Sequence, residues 1–286
     1  FCSDGEVEFL SSFALPIPIT MITQILGLPL EDIEQLHKWS DAWVLPFSGP
    51  LSEEKENWVA EQGVEFQNYI LKHVHDRREN PKDDVISHLT QGIFGDERPL
   101  TDSEIVRIID HLYIGGNETT TFALTSGLWI LLREDGLYEK ILNNRDLVQP
   151  FIEEVLRLES PTQGLYRETT QDEEFHGVSV PKGSVIHIRY AAANRDERMF
   201  DNPDDVDLER KNLKRHMAFS LGEHHCPGSG LSRTEQHIAL NVVLDRLPNL
   251  ALCAERNDYK HMPGLVLRSL NKLHVTFDPT EPLKAK

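Results

Sequence analysis

The sequence has few cysteines, and they are too scattered to form a disulfide framework. Its 286 residues contain Cys2, Cys226 and Cys253, an odd number at wide spacing with no Cys-x-x-Cys pair. This pattern argues against a disulfide-bonded scaffold and against a cysteine-rich zinc module. It suits a reducing compartment, so we expect a cytoplasmic protein.

Positive charge is also in short supply. The chain has 29 Lys and Arg against 47 Asp and Glu, which gives a formal net charge of −18. A surface of this sign repels nucleic-acid phosphates, so we expect no nucleic-acid partner. With 39% hydrophobic residues, the chain is apolar enough to bury a core.

No long hydrophobic run is free of helix-breaking residues. The uncharged stretch over residues 9–30 contains Pro16, Pro18, Gly27 and Pro29. Its length is about that of one bilayer span, but these breaks favour a buried helix that begins near Pro18 and ends at Gly27. We therefore predict no membrane span.

Apolar residues recur at helical spacing through most of the chain. The longest pattern begins with a capping box of Thr101 and Glu104 and ends before Gly136. Helices are predicted over residues 33–43, 52–78, 101–135, 147–158 and 229–247. In the last of these, Leu231, Ile238, Val242 and Leu247 are expected to face inward.

Strand patterns are confined to the second half. Residues 175–178 and 185–188 flank a Pro-Lys-Gly turn at 181–183 and predict a hairpin, and a final strand pair is expected at 265–267 and 274–277. Residues 194–215 predict an ordered but irregular loop. The expected fold class is mainly α with small β-sheets.

Gly115 and Gly116 lie in the middle of the longest predicted helix and are followed by Glu118 and Thr119. Each glycine costs about 1 kcal/mol there relative to alanine, so something should compensate. One interpretation is close helix packing with a surface Glu118. The other is a local widening beside a ligand, with Glu118 and the Thr119 hydroxyl available to pass protons.

Glu154 and Arg157 are spaced i,i+3 on a predicted helix. Alone they are a weak signal, because such pairs are usually solvated.

Cys226 gives the strongest signal. It ends the run Phe219-Ser-Leu-Gly-Glu-His-His-Cys and precedes Pro227, Gly228 and a predicted helix. The N-terminus of that helix should favour its thiolate, as in a metal ligand or nucleophile. Alternatives are an inert core thiol, or a zinc site with His216, His224, His225 and His237, which the ligand spacing serves poorly.

Together these motifs resemble the cytochrome P450 family of haem-thiolate monooxygenases, bacterial soluble type. The matching patterns are Phe-x-x-Gly-x-His-x-Cys-x-Gly at 219–228, Glu-x-x-Arg at 154–157 and Gly-Gly-x-Glu-Thr at 115–119. The resemblance implies a single, partial domain over residues 1–286 with the cytochrome P450 fold. It also implies an N-terminally truncated chain, because the family has a substantial portion before the point that matches Phe1.

The resemblance implies haem b as cofactor, with Cys226 as the axial ligand of its iron. His224 and Arg167 would pair with the haem propionates, and Phe219, Gly228 and Gly115 would contact the haem. Glu154, Arg157 and Arg210 would form a buried charge network that holds the Cys226 loop. Glu118 and Thr119 would be the catalytic acid–alcohol pair.

The resemblance also suggests substrate positions: His111, Ile114, Gln163, Val266 and Leu267. Each could equally be ordinary core, and His111 could be a satisfied core histidine.

The implied function is a monooxygenase that inserts one atom of O2 into an apolar small molecule. A ferredoxin-type donor would supply the electrons and could dock near Lys211, Lys214 and Arg215, a basic segment in an acidic chain. The alternatives are a truncated, non-catalytic haem-binding or scaffold form, and a peroxide-using or isomerising member of the family.

Overall fold

The computed structural model describes residues 1–95 and 98–282. Helices dominate and the strands are short, so the expected fold class is confirmed. The chain groups into two compact units, one of Val7–Phe122 and one of Phe1–Glu6 with Ala123–Lys286. The expectation of a single domain over residues 1–286 stays a prediction.

The unit of residues 7–122 is almost entirely helical. A short strand β1 and a π-helical turn at Leu10–Ala14 precede the first long helix. The elements that lie wholly or partly in it are β1 Glu6–Glu8, α1 Pro16–Leu26, α2 Ile33–Val44, α3 Glu53–Glu79, α4 Val85–Gln91, β2 Ile93–Phe94, β3 Arg98–Pro99 and α5 Asp102–Arg133, the last of which extends past Phe122.

Local signals set the ends of these helices. Ser52 accepts a hydrogen bond from Lys55 N–H and so caps α3. At the start of α5, Glu104 N–H donates to Thr101 Oγ1 at 3.3 Å, while Thr101 N–H donates to the Glu104 carboxylate at 2.9 Å. This reciprocal pair is the expected capping box.

Gly27 ends α1 because no other residue fits there. Its φ is +80°, and a Cβ at this position would overlap the Asp84 carboxylate. Buried Arg77 donates to the Gly27 carbonyl at 2.7 Å and to Asp84 at 2.6 Å. The end of α1 at Gly27 and the Arg77–Asp84 ion pair therefore stabilise each other. None of the helices described combines the length and apolar character needed to cross a bilayer.

Aromatic rings fill the core of this unit. The Phe66 ring on α3 lies 5.6 Å from Trp39 on α2 and 5.5 Å from Tyr113 on α5. All three side chains are buried, so they join α2 and α3 to the first half of α5.

The other unit combines helices with three small antiparallel sheets among its described residues. Strand β4 pairs with β7, β5 with β6, and β8 with β9. The elements are α6 Leu137–Asn143, α7 Val148–Glu159, β4 Leu165–Glu168, β5 Glu173–Phe175, β6 Val178–Val180, β7 Val185–Ile188, α8 Tyr190–Ala193, α9 Ser229–Arg246, β8 Ala251–Leu252 and β9 His274–Thr276.

Both predicted strand pairings are wrong. The tight turn lies at His176 and Gly177, with φ of +50° and +83°, and it joins β5 to β6. Strand β7 pairs instead with β4, and β9 pairs with β8 rather than with residues 265–267. Leu267 makes an isolated bridge with Thr162.

The inward face of α9 is also shifted from the expectation. Ile238 and Val242 are 58% and 42% exposed, whereas Leu247 is buried. The buried face carries Glu235, Gln236, Ala239, Leu240, Val243 and Leu244. The apolar pattern predicted the wrong inward face because α9 buries two polar side chains, Glu235 and Gln236.

Candidate functional site

Cys226 lies in a closed loop directly before α9. Its N–H donates to the Phe219 carbonyl at 2.9 Å, and Ser229 N–H donates to the Cys226 carbonyl at 3.3 Å. The loop turns at Ser220 and Gly222, whose φ values of +58° and +66° lie in the left-handed region. The half-buried sulfur is therefore held by backbone bonds on both sides.

The pKa of the Cys226 thiol is raised above its ordinary value. Burial causes the rise, and the backbone N–H groups of Gly228 and Ser229 oppose it together with Arg233. The expected net lowering by the helix N-terminus is wrong, because desolvation of the sulfur outweighs those donors.

The zinc alternative for Cys226 finds no support among the described residues. The group of described residues whose side chains are close enough to share a metal ion is His37, Asp41 and Glu118, and it does not include Cys226. His216, one of the proposed zinc ligands, is buried and bound to Glu153 at 2.9 Å.

The residues expected beside a haem on the Cys226 side are available for contact. His224 is exposed and Arg167 partly so, and neither makes an ion pair within the described part of the chain. Arg167 donates to the Tyr166 carbonyl at 2.8 Å. A Cβ on Gly228 would lie 3.8 Å from Cys226 Sγ, so this glycine lies against the sulfur.

Glu154, Arg157 and Arg210 form a buried network of charged hydrogen bonds. Arg157 donates Nε and Nη2 to the two Glu154 oxygens at 2.6 and 2.8 Å, and Arg210 Nε donates to Glu154 Oε1 at 3.1 Å. The Glu154 and Arg157 side chains have no exposed surface. The two guanidinium groups therefore balance the buried carboxylate.

This network does not hold the Cys226 loop directly. Arg157 and Arg210 donate their remaining N–H groups to backbone carbonyls of the irregular loop, and Asp207 N–H donates to Glu154 at 2.9 Å. The carbonyl acceptors are Asn194, Asp201, Asn202, Pro203 and Asp205. The network therefore orders residues 194–210, upstream of the cysteine.

Sequence reasoning missed Glu153, which binds residues on both sides of the cysteine loop. Its carboxylate accepts from His216 Nε2 at 2.9 Å and from Arg233 Nε and Nη2 at 2.7 and 3.0 Å. Burial raises its pKa, but the bonds from His216 and Arg233 outweigh burial and bring the pKa to about 2. The signal available in the sequence was the second carboxylate beside Glu154.

The two glycines of α5 have different environments. A Cβ on Gly116 would lie 3.2 Å from Ile22 on α1, so this glycine allows close helix packing. A Cβ on Gly115 would meet nothing within 4 Å. The helix stays α-helical from Asp102 to Arg133, so the interpretation of a local widening is wrong.

Glu118 is buried on α5 and faces α2. It accepts from Ser40 Oγ at 3.0 Å and from Asn117 Nδ2 at 3.2 Å. Burial and the nearby Asp41 raise its pKa to about 7. The alternative of a surface glutamate is therefore wrong.

Two partly exposed side chains of α2 lie beside Glu118. Ligand-type atoms of His37, Asp41 and Glu118 lie within 4.8 Å of one another. His37 Nε2 is 3.5 Å from Asp41 Oδ1, and Asp41 is 58% exposed. These groups connect a buried carboxyl to solvent. The sequence signal for them was the i,i+4 spacing of His37 and Asp41.

The Thr119 hydroxyl is hydrogen-bonded to the backbone of its own helix. It donates to the Gly115 carbonyl at 2.8 Å. This is the ordinary bond of a threonine one turn after a carbonyl, and rotation about χ1 releases it.

The substrate candidates on α5 differ in exposure. Ile114 is buried, whereas His111 is exposed, with its ring 6.1 Å from that of Trp43. His111 Nδ1 bonds to the Arg107 carbonyl at 2.8 Å. The alternative of a core histidine is therefore wrong.

The other substrate candidates lie together. Gln163 N–H donates to the Val266 carbonyl at 2.7 Å, and Val266 and Leu267 are buried. The Gln163 amide donates to the carbonyls of Glu159 and Ser160, both at 2.7 Å. Gln163 thus joins the end of α7 to the segment with Val266 and Leu267.

The basic segment is fully available to a partner. Lys211, Lys214 and Arg215 are exposed, and none of them makes an ion pair with any residue that the structure describes.

The residues present fit the haem implied by the resemblance. Cys226 offers a half-buried sulfur with backbone N–H groups directed at it, which is the setting of a thiolate ligand. Arg167 and His224 offer donors for carboxylates.

Comparison with known proteins shows one family. The family model for cytochrome P450 matches residues 19–274. The polyketide biosynthesis cytochrome P450 PksS of Bacillus subtilis is 33% identical over 274 residues, which are 96% of this chain and 66% of that protein. The steroid C26-monooxygenase of Mycobacterium tuberculosis strain CDC 1551 / Oshkosh is 32% identical over 99% of this chain and 75% of its own length.

Solved structures agree. P450BioI, crystallised with an acyl carrier protein ligated to hexadec-9Z-enoic acid, superposes with a TM-score of 0.90 at 32% identity, over 97% of this chain and 70% of that one. PksS of Bacillus subtilis 168 superposes with a TM-score of 0.88 over 96% of this chain and 69% of that one. The chain spans just under two thirds of the curated PksS sequence, 66%.

Proposed function

Since this chain belongs to the cytochrome P450 family, we propose that it is a haem-dependent monooxygenase acting on an apolar small molecule. The observation that carries the proposal is Cys226, whose half-buried sulfur receives backbone N–H groups at the start of α9. The loop bond from Cys226 N–H to the Phe219 carbonyl fixes this arrangement. Such a sulfur is suited to bind iron as a thiolate.

Haem, when bound, would supply dioxygen binding and activation. Cys226 would bind its iron through sulfur, and His224 and Arg167 would bind its propionates. Phe219, Gly228 and Gly115 would lie against it; Gly115 has no side chain to fill the space beside α5. The charge network of Glu154, Arg157 and Arg210 supports this side of the site by ordering residues 194–210.

Glu118 and Thr119 would deliver protons to the reacting oxygen. Because burial brings the Glu118 pKa to about 7, the carboxyl holds a proton close to neutral pH and can release it there. The Thr119 hydroxyl must first break its hydrogen bond to the Gly115 carbonyl. His37 and Asp41 lie where they can return a proton from solvent to Glu118.

The overall reaction consumes two electrons and two protons with each O2. One oxygen atom enters a C–H bond of the substrate as hydroxyl, and the other leaves as water. The electrons come from a ferredoxin-type donor, for which the exposed Lys211, Lys214 and Arg215 offer a docking surface.

The proposed substrate is apolar because three of the five candidate contact residues are apolar. Ile114, Val266 and Leu267 are buried hydrophobic side chains. Gln163 has both amide protons committed to the end of α7, so it offers its carbonyl oxygen rather than a donor. His111 is the polar candidate with an exposed ring.

The test is the absorption spectrum of the chain with haem, reduced with dithionite and treated with carbon monoxide. A strongly red-shifted Soret band is expected, and Cys226→Ala should abolish it. Cys253→Ala, which removes another half-buried free thiol, should leave the band unchanged. A spectrum with no Soret absorption would overturn the proposal and favour the scaffold form. A red-shifted band without substrate oxidation would favour the non-catalytic haem-binding form.

A further inference from the structure

Two neighbouring carboxylates on α7 bind two different parts of the chain. Glu154 takes Arg157 and Arg210 and orders the loop upstream, whereas Glu153 takes His216 and Arg233. His216 lies three residues before Phe219, and Arg233 lies in the second turn of α9. Glu153 therefore contacts the chain on both sides of the Cys226 loop.

The Glu153 site is built as a buried, saturated acceptor. Its side chain is 1% exposed and receives two bonds from Arg233, one from His216 and one from Gln149 Nε2 at 3.1 Å. A carboxylate with this many donors in a buried place is rigidly held, because losing any one donor leaves part of its charge uncompensated. The donors are held equally firmly.

The orientation of His216 is fixed by its second ring nitrogen. Ala218 N–H donates to His216 Nδ1 at 3.2 Å, so Nδ1 is the acceptor and Nε2 carries the proton given to Glu153. The ring is thereby tied to α7 at one end and to the chain leading into Phe219 at the other.

Two of the three partners of Glu153, His216 and Arg233, lie beside Phe219. The guanidinium carbon of Arg233 lies 4.5 Å from the centre of the Phe219 ring, and the His216 ring lies 6.1 Å from it. The Phe219 carbonyl accepts the N–H of Cys226 at 2.9 Å. A continuous set of contacts thus runs from Glu153 through His216 and Arg233 to Phe219, and from Phe219 to Cys226.

We infer that Glu153 is the positioning residue of the cysteine loop, and that it fixes Cys226 by clamping His216 and Arg233 around Phe219. The two carboxylates thus have different roles: Glu154 orders residues 194–210, and Glu153 positions the Cys226 sulfur. The consequence for the haem ligand rests on the proposed function, but the restraint on the thiol does not.

The first test measures the thiol without haem. In a Cys2→Ser, Cys253→Ser background, Cys226 is the one remaining cysteine, and its rate of reaction with a disulfide reagent reports how often the loop opens. Glu153→Gln should raise this rate about tenfold, because it weakens the charged bonds to His216 and Arg233. Glu159→Gln is the matched control: Glu159 is a buried, Arg-paired carboxylate on the same helix, bound to Arg268 at 3.0 Å. It should leave the rate within twofold.

A second variant covers the case in which Glu153→Gln does not fold. Arg233→Gln removes the charged bonds that Arg233 donates to Glu153. The Arg233 side chain is 26% exposed, so we expect the fold to tolerate this substitution better than Glu153→Gln. It should also raise the Cys226 reaction rate, and Arg233→Lys should restore part of the protection. Equal rates for the parent, Arg233→Gln and Glu159→Gln chains would overturn the inference.

The second test separates this inference from the proposed function. With haem, Glu153→Gln should lower the fraction of the reduced, carbon-monoxide-bound protein that shows the red-shifted Soret band, whereas Glu159→Gln should not. If the parent shows no such band, the proposed function fails and the thiol rates still decide the inference. A full red-shifted band in Glu153→Gln together with unchanged thiol rates would overturn the inference and leave the proposed function standing.

Discussion

Tyr190 donates its hydroxyl to Ser220 Oγ at 3.3 Å while Ser220 holds a φ of +58°. Ser220 lies one residue after Phe219, at the start of the turn that leads to Cys226. A non-glycine residue in this region carries strain of about 1–2 kcal/mol, which the hydrogen bond from buried Tyr190 partly offsets.

Replacing Ser220 separates the strain from the hydrogen bond. Ser220→Ala keeps the strain and loses the bond, so it should lower the free energy of unfolding by about 1 kcal/mol. Ser220→Gly also loses the bond but removes the strain, so it should equal or exceed the parent in stability. Urea denaturation of the three chains measures the differences. A Gly variant no more stable than the Ala variant would contradict the strain assigned to this φ.

Glu154→Gln should be among the most destabilising substitutions in the chain. It leaves Arg157 and Arg210 buried without their carboxylate, which costs about 3–5 kcal/mol. The loss should appear as a large fall in the urea midpoint. Arg198→Ala is the control, since its pair with Asp196 involves a side chain that is 88% exposed and should contribute little to stability. Similar losses in the two variants would contradict the buried network.

The parts of the fold that the sequence predicts correctly depend on near neighbours along the chain. The start of α5 follows from Thr101 and Glu104, three residues apart, and the Glu154–Arg157 pair follows from the same spacing on a helix. The strand pairings were mispredicted because β4 and β7 are joined across 16 residues that contain another hairpin. The left-handed turn at His176 and Gly177 is the local feature that decides this arrangement.

The candidate site divides in the same way. Cys226 and its loop could be identified because the pattern is contiguous. Glu153 could not, because its partners His216 and Arg233 are 63 and 80 residues away and nothing local distinguishes its role from that of Glu154. The environment of Glu118 likewise depends on Ser40, 78 residues earlier. The roles of Glu153 and Glu118 therefore depend on burial and on partners distant in the sequence, which no local sequence motif reveals.

Gly115→Ala and Gly116→Ala form a matched pair on one turn of α5. Alanine at Gly115 meets no atom within 4 Å, so it should gain up to about 1 kcal/mol from helix propensity. Alanine at Gly116 would press on Ile22 at 3.2 Å and should lose about 1–2 kcal/mol net, because overpacking outweighs the same gain. Thermal unfolding of the chain without haem measures both effects.

The same pair tests the place of the cofactor. If haem lies against Gly115, then Gly115→Ala should bind haem more weakly despite its greater stability, as measured by haem titration. Ile22→Val should recover part of the stability lost in Gly116→Ala, because it removes one of the atoms that the new methyl group contacts. A Gly115→Ala chain with unchanged haem affinity would contradict the contact.

Glu118 should make stability depend on pH between about 4.5 and 7. Burial and the nearby Asp41 raise its pKa from 4.5 to about 7, so in this window the folded chain holds a proton that the unfolded chain has released. Stability therefore falls as pH rises through the window, by about 3 kcal/mol, and the contribution is constant above pH 7. Glu118→Gln should remove this slope.

Glu235 is a second buried carboxyl that titrates in the same window, and it must be controlled. Burial also raises the pKa of Glu235 to about 7, so the comparison is made in a Glu235→Gln background. Urea midpoints from pH 4 to 8, with and without Glu118→Gln, give the slope of Glu118 alone. His37, Asp41 and Ser40 face Glu118 and are unchanged in both chains. Parallel profiles would show that Glu118 ionises like an exposed carboxyl.

Charge reversal tests the docking surface. Lys211→Glu, Lys214→Glu and Arg215→Glu together replace an exposed basic segment with an acidic one beside the buried His216. Reduction of the haem-loaded chain by an acidic ferredoxin should slow by about tenfold and should no longer fall as ionic strength rises, because the steering attraction is replaced by a repulsion that salt screens. Stopped-flow reduction at several salt concentrations measures both quantities. The matched control reverses three other exposed lysines, Lys140, Lys182 and Lys260, and so makes the same change in net charge. Equal slowing in the two triple variants would assign the effect to net charge and contradict docking at Lys211, Lys214 and Arg215.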